Sequence, residues 1–472
     1  MGGGLDGLRA AFAGRLLTEG AEMAPFVTDW RRRWTGRALA VAQPDDTAGV
    51  AAILAWCHGA GIPVVPQGGN TSLCGGSVPD GTGEALVLSL TRLNRIRSVD
   101  PVCNTITVEA GCTLRAVQEA AEAAGRLFPL SLAAEGSCTI GGNLATNAGG
   151  VQVLRYGSAR DLSLGLEVVT AEGEVWDGLR ALRKDNTGYD LRGLFIGSEG
   201  TLGVITAAVL KMFPRPAGRA VAFVAVPSPD AALRLLGQAQ ARIGAGLTAF
   251  ELMNHQALSL VLRHRAGTRH PLSQAWPWYV LIEHAAYSTG ESADGPLLAL
   301  LEDALAESYA MDAAVAASGV QFAALWELRE AASDSHAAEG GTIKHDISLP
   351  ISAVADFLAA ANMAMRRDFP GVRLVTWGHL GDGNLHYNMS PPEDRCGPGD
   401  KAWFLGLEPA VNLLVHDLAM ARGGSISAEH GLGVLRRDEA ARYKSGMEMR
   451  LMRAVKEALD PLGLMNPGKV LP

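Results

Sequence analysis

Apolar and polar positions in the first half of the chain alternate between a helical and a strand period. Asp45–His58 reads as an amphipathic helix behind an Asp/Thr cap signal, Gly61 ends it, and Pro63–Pro66 reads as a short strand. The same pairing recurs with Asn104–Glu109 as a strand leading to a helix over Thr113–Ala124. After Pro214-Arg-Pro-Ala-Gly218 the texture changes, and this Pro/Gly break predicts a domain boundary. Beyond it, strands at Ala220–Val226 and Trp278–Glu283 alternate with helices at Ala231–Ile243 and Gly295–Glu307, which predicts an α+β cap on an antiparallel sheet. Ala402–Arg422 and Asp438–Leu459 read as helical. The expected division is residues 1–217, 218–420 and a C-terminal segment, 421–472, with no internal repeat.

Glycine-rich loops interrupt this pattern. Pro63-Val-Val-Pro-Gln-Gly-Gly-Asn-Thr-Ser-Leu-Cys-Gly-Gly76 breaks a strand into bare backbone, where Gly68 and Gly69 would let a pyrophosphate approach successive N–H groups and Asn70, Thr71 and Ser72 would offer short polar groups to the same oxygens. It is neither the nucleoside-triphosphate loop nor the Gly-x-Gly-x-x-Gly fingerprint. A second loop, Glu135–Gly150, holds two Gly-Gly pairs, and a third region runs through Leu182–Leu191 and Leu194–Thr206. Core-supporting turns are the plain alternative for any one of them; three together suggest an extended ligand.

Composition narrows the field. A chain of 472 residues implies two or three domains, and its formal charge of −8 argues against nucleic acid. Trp30-Arg-Arg-Arg-Trp34 is then expected to be a solvated helix face. Six cysteines lack Cys-x-x-Cys spacing, which excludes the usual zinc ribbon and iron–sulfur patterns and predicts reduced thiols in a cytoplasmic protein. The opening Met1-Gly-Gly-Gly-Leu-Asp-Gly-Leu lacks a basic and apolar leader pattern, and no apolar run is long enough for a membrane span, so a soluble chain is expected.

The second half carries the candidate chemistry. Leu374–Met389 forms two strand-like runs around Asp382-Gly383, a strong hairpin signal. With those two residues as the turn, His379 falls opposite His386, their Cβ atoms about 4.5–5.5 Å apart, close enough for both imidazoles to converge on one ion, and Asn388 points to the same face. A third ligand would come from Gly424-Ser-Ile-Ser-Ala-Glu-His-Gly-Leu-Gly433, where Glu429 precedes His430. Structural histidines and a polar pair at a helix start are the competing readings. Arg329 and Ser333, one helical turn apart, could grip one carboxylate, with Lys344 adding a charge. An exposed arginine paired with Glu327 or Glu330 is the alternative.

Pro-Gln-Gly-Gly-Asn-Thr-Ser, Gly-Gly-Asn-Leu-Ala-Thr-Asn-Ala-Gly-Gly, Asp-Asn-Thr-Gly-Tyr-Asp-Leu and Gly-Ser-Glu-Gly-Thr-Leu-Gly-Val-Ile-Thr together resemble the vanillyl-alcohol-oxidase-type FAD-binding flavoproteins, and within them the D-2-hydroxyacid dehydrogenases, from about Trp30 to Pro472. The resemblance implies an α+β, two-subdomain FAD-binding fold with a cap domain and a helical C-terminal segment. It implies FAD contacts at Pro66, Gly68, Gly69, Asn70, Thr71, Ser72, Ser137, Gly142, Asn143, Thr146, Gly149, Glu199, Ile205 and Asn466. The first loop has no histidine, so FAD is expected to be non-covalent. The resemblance also implies a divalent metal, zinc being the expected ion, on His379, His386 and Glu429. Arg329, Ser333, Lys344, Asn388 and His430 are then the implied substrate-binding set, with Ser333 standing where the family has Thr.

From these follows oxidation of a D-2-hydroxy acid, D-2-hydroxyglutarate leading, with hydride passing to the flavin and His430 taking the hydroxyl proton. Expected partners are the small hydroxy acid and an external acceptor such as an electron-transfer flavoprotein or quinone; a homodimer is left open. A D-lactate or glycolate dehydrogenase, a catalytically silent flavin-holding subunit and a zinc hydrolase are the alternatives.

Overall fold

Asp46 accepts the Gly49 N–H at 2.8 Å and so starts the helix Thr47–Ala60, and Thr113 caps Leu114–Ala123 in the same way. In the computed structural model, which describes residues 5–288, 290, 292–397 and 399–472, these helices belong to the first of two units. Met1–Gly4, part of the stretch read above as lacking a leader, lie outside the described residues. The first unit comprises residues through Gly149, Tyr156–Arg215 and Glu429–Pro472; the second comprises Gly150–Arg155 and Pro216–Ala428.

The first unit holds two main sheets. One orders its strands Gly14–Leu17, Ala40–Pro44, Leu86–Ser89 and Val64–Gln67, the last three parallel. Its parallel strands bury apolar side chains such as Val41, Leu86 and Val87, as sheets with both faces covered require. The other is antiparallel, in the order Ile96–Asp100, Thr105–Glu109, Val204–Lys211, Ser163–Val169, Val175–Gly178. Trp30–Trp34 is not the expected helix face: Asp29 accepts the N–H groups of Arg31 and Trp34 at 3.0 and 2.7 Å and folds the segment into a turn.

The second unit is built on a seven-stranded antiparallel sheet, ordered Asp312–Val315, Gly218–Val226, Trp278–Ala286, Leu247–Asn254, Arg373–His379, Asn384–Ser390, Asp346–Ser348. Helices cover both faces. Ala222, Val224, Phe250, Leu252, Leu385 and Tyr387 pack with Leu235, Leu300 and Phe357 on one side, while Phe223, Ala249, Met253, Val375 and Trp377 pack with Leu258, Val261 and Leu325 on the other. Alternation along a strand then puts Glu251, His379 and His386 on the second face. Among the described residues no helix is long and apolar enough to cross a membrane.

Two expected long helices are each split. Pro409, in the first turn of Glu408–Met420, separates it from Asp400–Gly406, because proline cannot donate into a continuing helix. Ser445 and Glu448 form a capping box that begins Gly446–Leu459 afresh after Arg437–Tyr443.

Candidate active site

In the first unit the strand Val64–Gln67, with Pro66 half-buried within it, opens into the first glycine-rich loop. Gln67 Nε2 donates to the carbonyls of Phe26 and Ser77 at 2.8 and 2.7 Å. Asn70, in the left-handed region at φ 54°, donates from Nδ2 to Pro25 O and Thr28 O and accepts from Ser77 Oγ at 2.8 Å. Its carboxamide is therefore spent on holding the loop, not turned to a ligand as expected. Ser72 Oγ accepts from the Cys74 N–H at 3.2 Å. Packing also requires the two glycines to be bare. A Cβ on Gly69 would stand 1.9 Å from Ser137 O, and one on Gly68 would stand 2.3 Å from Thr139 Oγ1, so the second loop packs directly on the first.

What this cradle offers is backbone. No acceptor is recorded among the described residues for the N–H groups of Gly68, Gly69, Asn70, Thr71 and Ser72, which run consecutively through a half-buried loop. Such a row suits a diphosphate. Beside it, Ser137 is exposed, Gly142 and Asn143 lie in the short helix Ile140–Ala145, Thr146 Oγ1 donates to Gly142 O at 3.1 Å, and the buried Thr139 hydroxyl has no recorded partner. Gly149 is the last residue before the chain first leaves this unit. Ile205 puts its side chain into the apolar core, leaving only its backbone for a ligand.

Glu199 and Asn466 tie the C-terminal segment to this loop. Glu199 accepts the N–H groups of Leu432 and Gly433 at 2.7 and 2.8 Å; burial pushes its carboxyl upward even so. Asn466 Nδ2 donates to Gly76 O and Glu199 O at 3.0 and 2.7 Å, and Asn466 N donates to Val64 O.

In the second unit the hairpin register differs from the expected one. His386 stands opposite Trp377, not His379, because the turn spans four residues, Leu380–Gly383. Leu380 is buried in the core, and Gly383, at φ 85°, lies where a Cβ would meet Leu349 O at 2.1 Å. The shift is two residues, so both histidines keep one face, and their ring centroids are 5.7 Å apart. A nitrogen of one lies within 4.8 Å of a nitrogen of the other, close enough to share an ion.

Each imidazole turns Nδ1 toward a carboxylate on a neighbouring strand. His379 Nδ1 donates to Glu251 Oε1 at 2.8 Å; His386 Nδ1 stands 3.8 Å from Asp346 Oδ1. With its proton on Nδ1, His379 carries its lone pair on Nε2, the form in which histidine binds metals. Ala428 N donates to Asp346 O at 3.0 Å, and Glu429 is the next residue in the chain. Glu429 and His430 are half-buried in an irregular segment, not at a helix start.

Arg329 is buried, 8 % exposed, and its Nε donates to Glu251 Oε2 at 2.6 Å. It is not the exposed arginine of the plain alternative, since Glu327 pairs with Arg265 instead. Burial alone would raise the Glu251 carboxyl, but His379 and Arg329 more than reverse it and hold it down at about 2. The helix Gly319–Glu330 ends before Ser333, which sits in the short helix Ala332–Ala337; Lys344 Nζ donates to Ser333 Oγ at 3.3 Å. Asn388 is buried and accepts the His345 N–H at 3.0 Å. Glu251 and Asp346 were missed by the sequence reading; for Glu251 the available signal was a lone acid within an otherwise apolar strand, and Asp346, at the start of the short strand Asp346–Ser348, offered none.

Comparison with known proteins identifies the family of both parts of the chain. The FAD binding domain model matches residues 38–178, and the model of the FAD linked oxidases, C-terminal domain, matches residues 215–470. A protein of Xanthomonas citri named D-2-hydroxyglutarate dehydrogenase is 40 % identical over 97 % of this chain and 94 % of its own. A bovine protein named D-2-hydroxyglutarate dehydrogenase, mitochondrial, is 40 % identical over 99 % and 83 %, and a Schizosaccharomyces pombe protein named putative mitochondrial D-lactate dehydrogenase is 38 % identical over 96 % and 85 %. Among solved structures, p-cresol methylhydroxylase matches with a TM-score of 0.74 at 16 % identity over 98 % of this chain and 95 % of its own, and 4-ethylphenol oxidase of Gulosibacter chungangensis with 0.73 at 19 % over 97 % and 94 %; these establish the fold. The chain therefore belongs to the FAD-linked D-2-hydroxyacid dehydrogenase family and has the fold of the vanillyl-alcohol-oxidase-type flavoproteins.

Proposed function

We propose that the protein oxidises a D-2-hydroxy acid, D-2-hydroxyglutarate foremost, to its 2-oxo acid, using non-covalent FAD and a divalent ion, zinc, held by His379, His386 and Glu429. The observation that carries the second half of this reading is the polar row on an otherwise apolar sheet face, with two imidazoles whose Nδ1 atoms face Glu251 and Asp346. FAD, when bound, would accept the Cα hydrogen with its two electrons as hydride, and an ion held by these residues would stabilise negative charge on the substrate oxygens.

The chain's own residues do the rest. Arg329, fixed through Nε, meets a substrate carboxylate with the remaining edge of its guanidinium. Lys344 and Ser333, already in contact, supply a charge and a hydroxyl. His430 accepts the hydroxyl proton. Two positive side chains and an ion suit a dicarboxylate better than lactate; the fission-yeast relative's name keeps D-lactate as the second reading. Electrons pass to an external acceptor, such as an electron-transfer flavoprotein or a quinone. Six free cysteines support a cytoplasmic location, while the bovine and yeast relatives are named mitochondrial.

Dye-coupled turnover of D-2-hydroxyglutarate and D-lactate, before and after dialysis against a chelator, tests this reading. Turnover should favour the dicarboxylate, vanish with the ion while FAD stays bound, and return with added zinc. Full activity in metal-free protein would overturn the ion's role.

A further inference from the structure

We infer that Glu251 is a positioning residue whose single carboxylate fixes the ion-binding His379 and the substrate-binding Arg329 to each other. The inference rests on the roles proposed above for those two residues. Glu251 lies on the strand Leu247–Asn254, is 1 % exposed, and pairs in register with His379 on the adjacent strand. Its two oxygens are divided between the two functions: Oε1 accepts from His379 Nδ1 at 2.8 Å and Oε2 accepts from Arg329 Nε at 2.6 Å.

Each bond constrains what its donor can do. An imidazole that gives Nδ1–H to a buried carboxylate keeps its lone pair on Nε2 and cannot swing about its side-chain axis without losing that bond. A guanidinium held through Nε has its plane and its outer nitrogens set by the same anion. Among the described residues, Glu251 is the only recorded hydrogen-bonding partner of the Arg329 side chain. A displaced Glu251 would therefore disturb the ion site and the carboxylate site together.

The same sheet supplies a contrast. Glu283, buried on the next strand, accepts from Arg219 Nε and Nη2 at 3.1 and 2.6 Å, from Trp326 Nε1 at 2.9 Å and from Thr248 Oγ1 at 2.8 Å. None of those donors belongs to the candidate site. Glu283 is what a structural carboxylate looks like here, whereas both partners of Glu251 are candidate functional groups.

The test compares Glu251→Gln, the double variant E251M/R329M and Glu283→Gln in the full-length, FAD-loaded protein. Zinc affinity is read by competition with a chromophoric chelator, alongside KM for D-2-hydroxyglutarate and the thermal midpoint. Glu251→Gln is expected to weaken zinc binding roughly 10- to 100-fold and to raise KM. The double variant removes both halves of the ion pair, so it leaves no uncompensated buried charge if the single variant fails to fold. It should weaken zinc binding by a similar factor. Glu283→Gln should lower the thermal midpoint while leaving zinc affinity and KM unchanged. Zinc affinity equal to wild type in both Glu251 variants would overturn the inference, and so would a loss of zinc affinity in Glu283→Gln as large as theirs. A wild-type protein that bound no zinc would overturn the ion site itself.

Discussion

Trp377 stands directly opposite His386 in the hairpin, and their ring centroids are 5.7 Å apart. His379 therefore reaches His386 along the diagonal, and the indole occupies the directly opposed position. Trp377 is 4 % exposed, so one side of the imidazole pair is closed by carbon. His386 is held by this packing, while His379 is held by its hydrogen bond to Glu251.

The first-loop glycines are needed by the protein before any ligand binds. Gly69→Ala would force a Cβ onto Ser137 O, 1.9 Å away, and separate the two loops. The variant should lose FAD, measured as the ratio of visible to ultraviolet absorbance of the purified protein. A fully yellow variant would show that the loops can part without cost.

The loop holds Gln67 and Asn70 where a covalently linked relative would need a histidine, and both carboxamides bond within the chain. Acid precipitation should release all the yellow colour into the supernatant. Colour retained on the pellet would mean a covalent attachment elsewhere.

Arg329→Ala leaves Glu251 buried without its cation, so a stability loss of about 3–5 kcal/mol is expected along with lost turnover. Arg329→Lys can still donate one bond to Glu251 but not the planar fork. It should fold nearly normally, with kcat/KM for D-2-hydroxyglutarate lower by roughly ten- to a hundredfold. Urea unfolding and steady-state kinetics separate the two effects.

His336 gives a pH signature. It is fully buried, its Nε2 lies 3.2 Å from Met389 O, and burial, helped by Lys344, pushes it down to about 3. Below about 6.5 the unfolded chain takes up a proton that the folded chain refuses, so stability is full above that pH and falls as pH drops toward 3. The loss is on the order of a few kcal/mol. Urea midpoints at pH 7 and pH 5 should differ less in His336→Phe than in wild type; equal differences would remove His336 as the source.

Much of this was legible in the sequence because it rests on local rules. Asp46 and Thr113 mark helix starts, the Pro/Gly segment at 214–218 marks a change of texture, and Asp382-Gly383 marks the hairpin. The register was not legible, since Asp-Gly fits either a two-residue turn or the end of the four-residue turn that buries Leu380. Nor was the internal use of Asn70, because its partners Pro25 and Thr28 lie more than forty positions away. Glu251 stands out in the sequence only as a lone acid in an apolar strand; its contacts with Arg329 and His379, on distant elements, were not legible.

The most direct test is anaerobic titration of the yellow protein with D-2-hydroxyglutarate, its L enantiomer and D-lactate, followed by flavin absorbance. D-2-hydroxyglutarate is expected to bleach the flavin, D-lactate to do so more weakly, and the L enantiomer to leave it oxidised. A flavin that stayed oxidised with every D-2-hydroxy acid would contradict the proposed reaction.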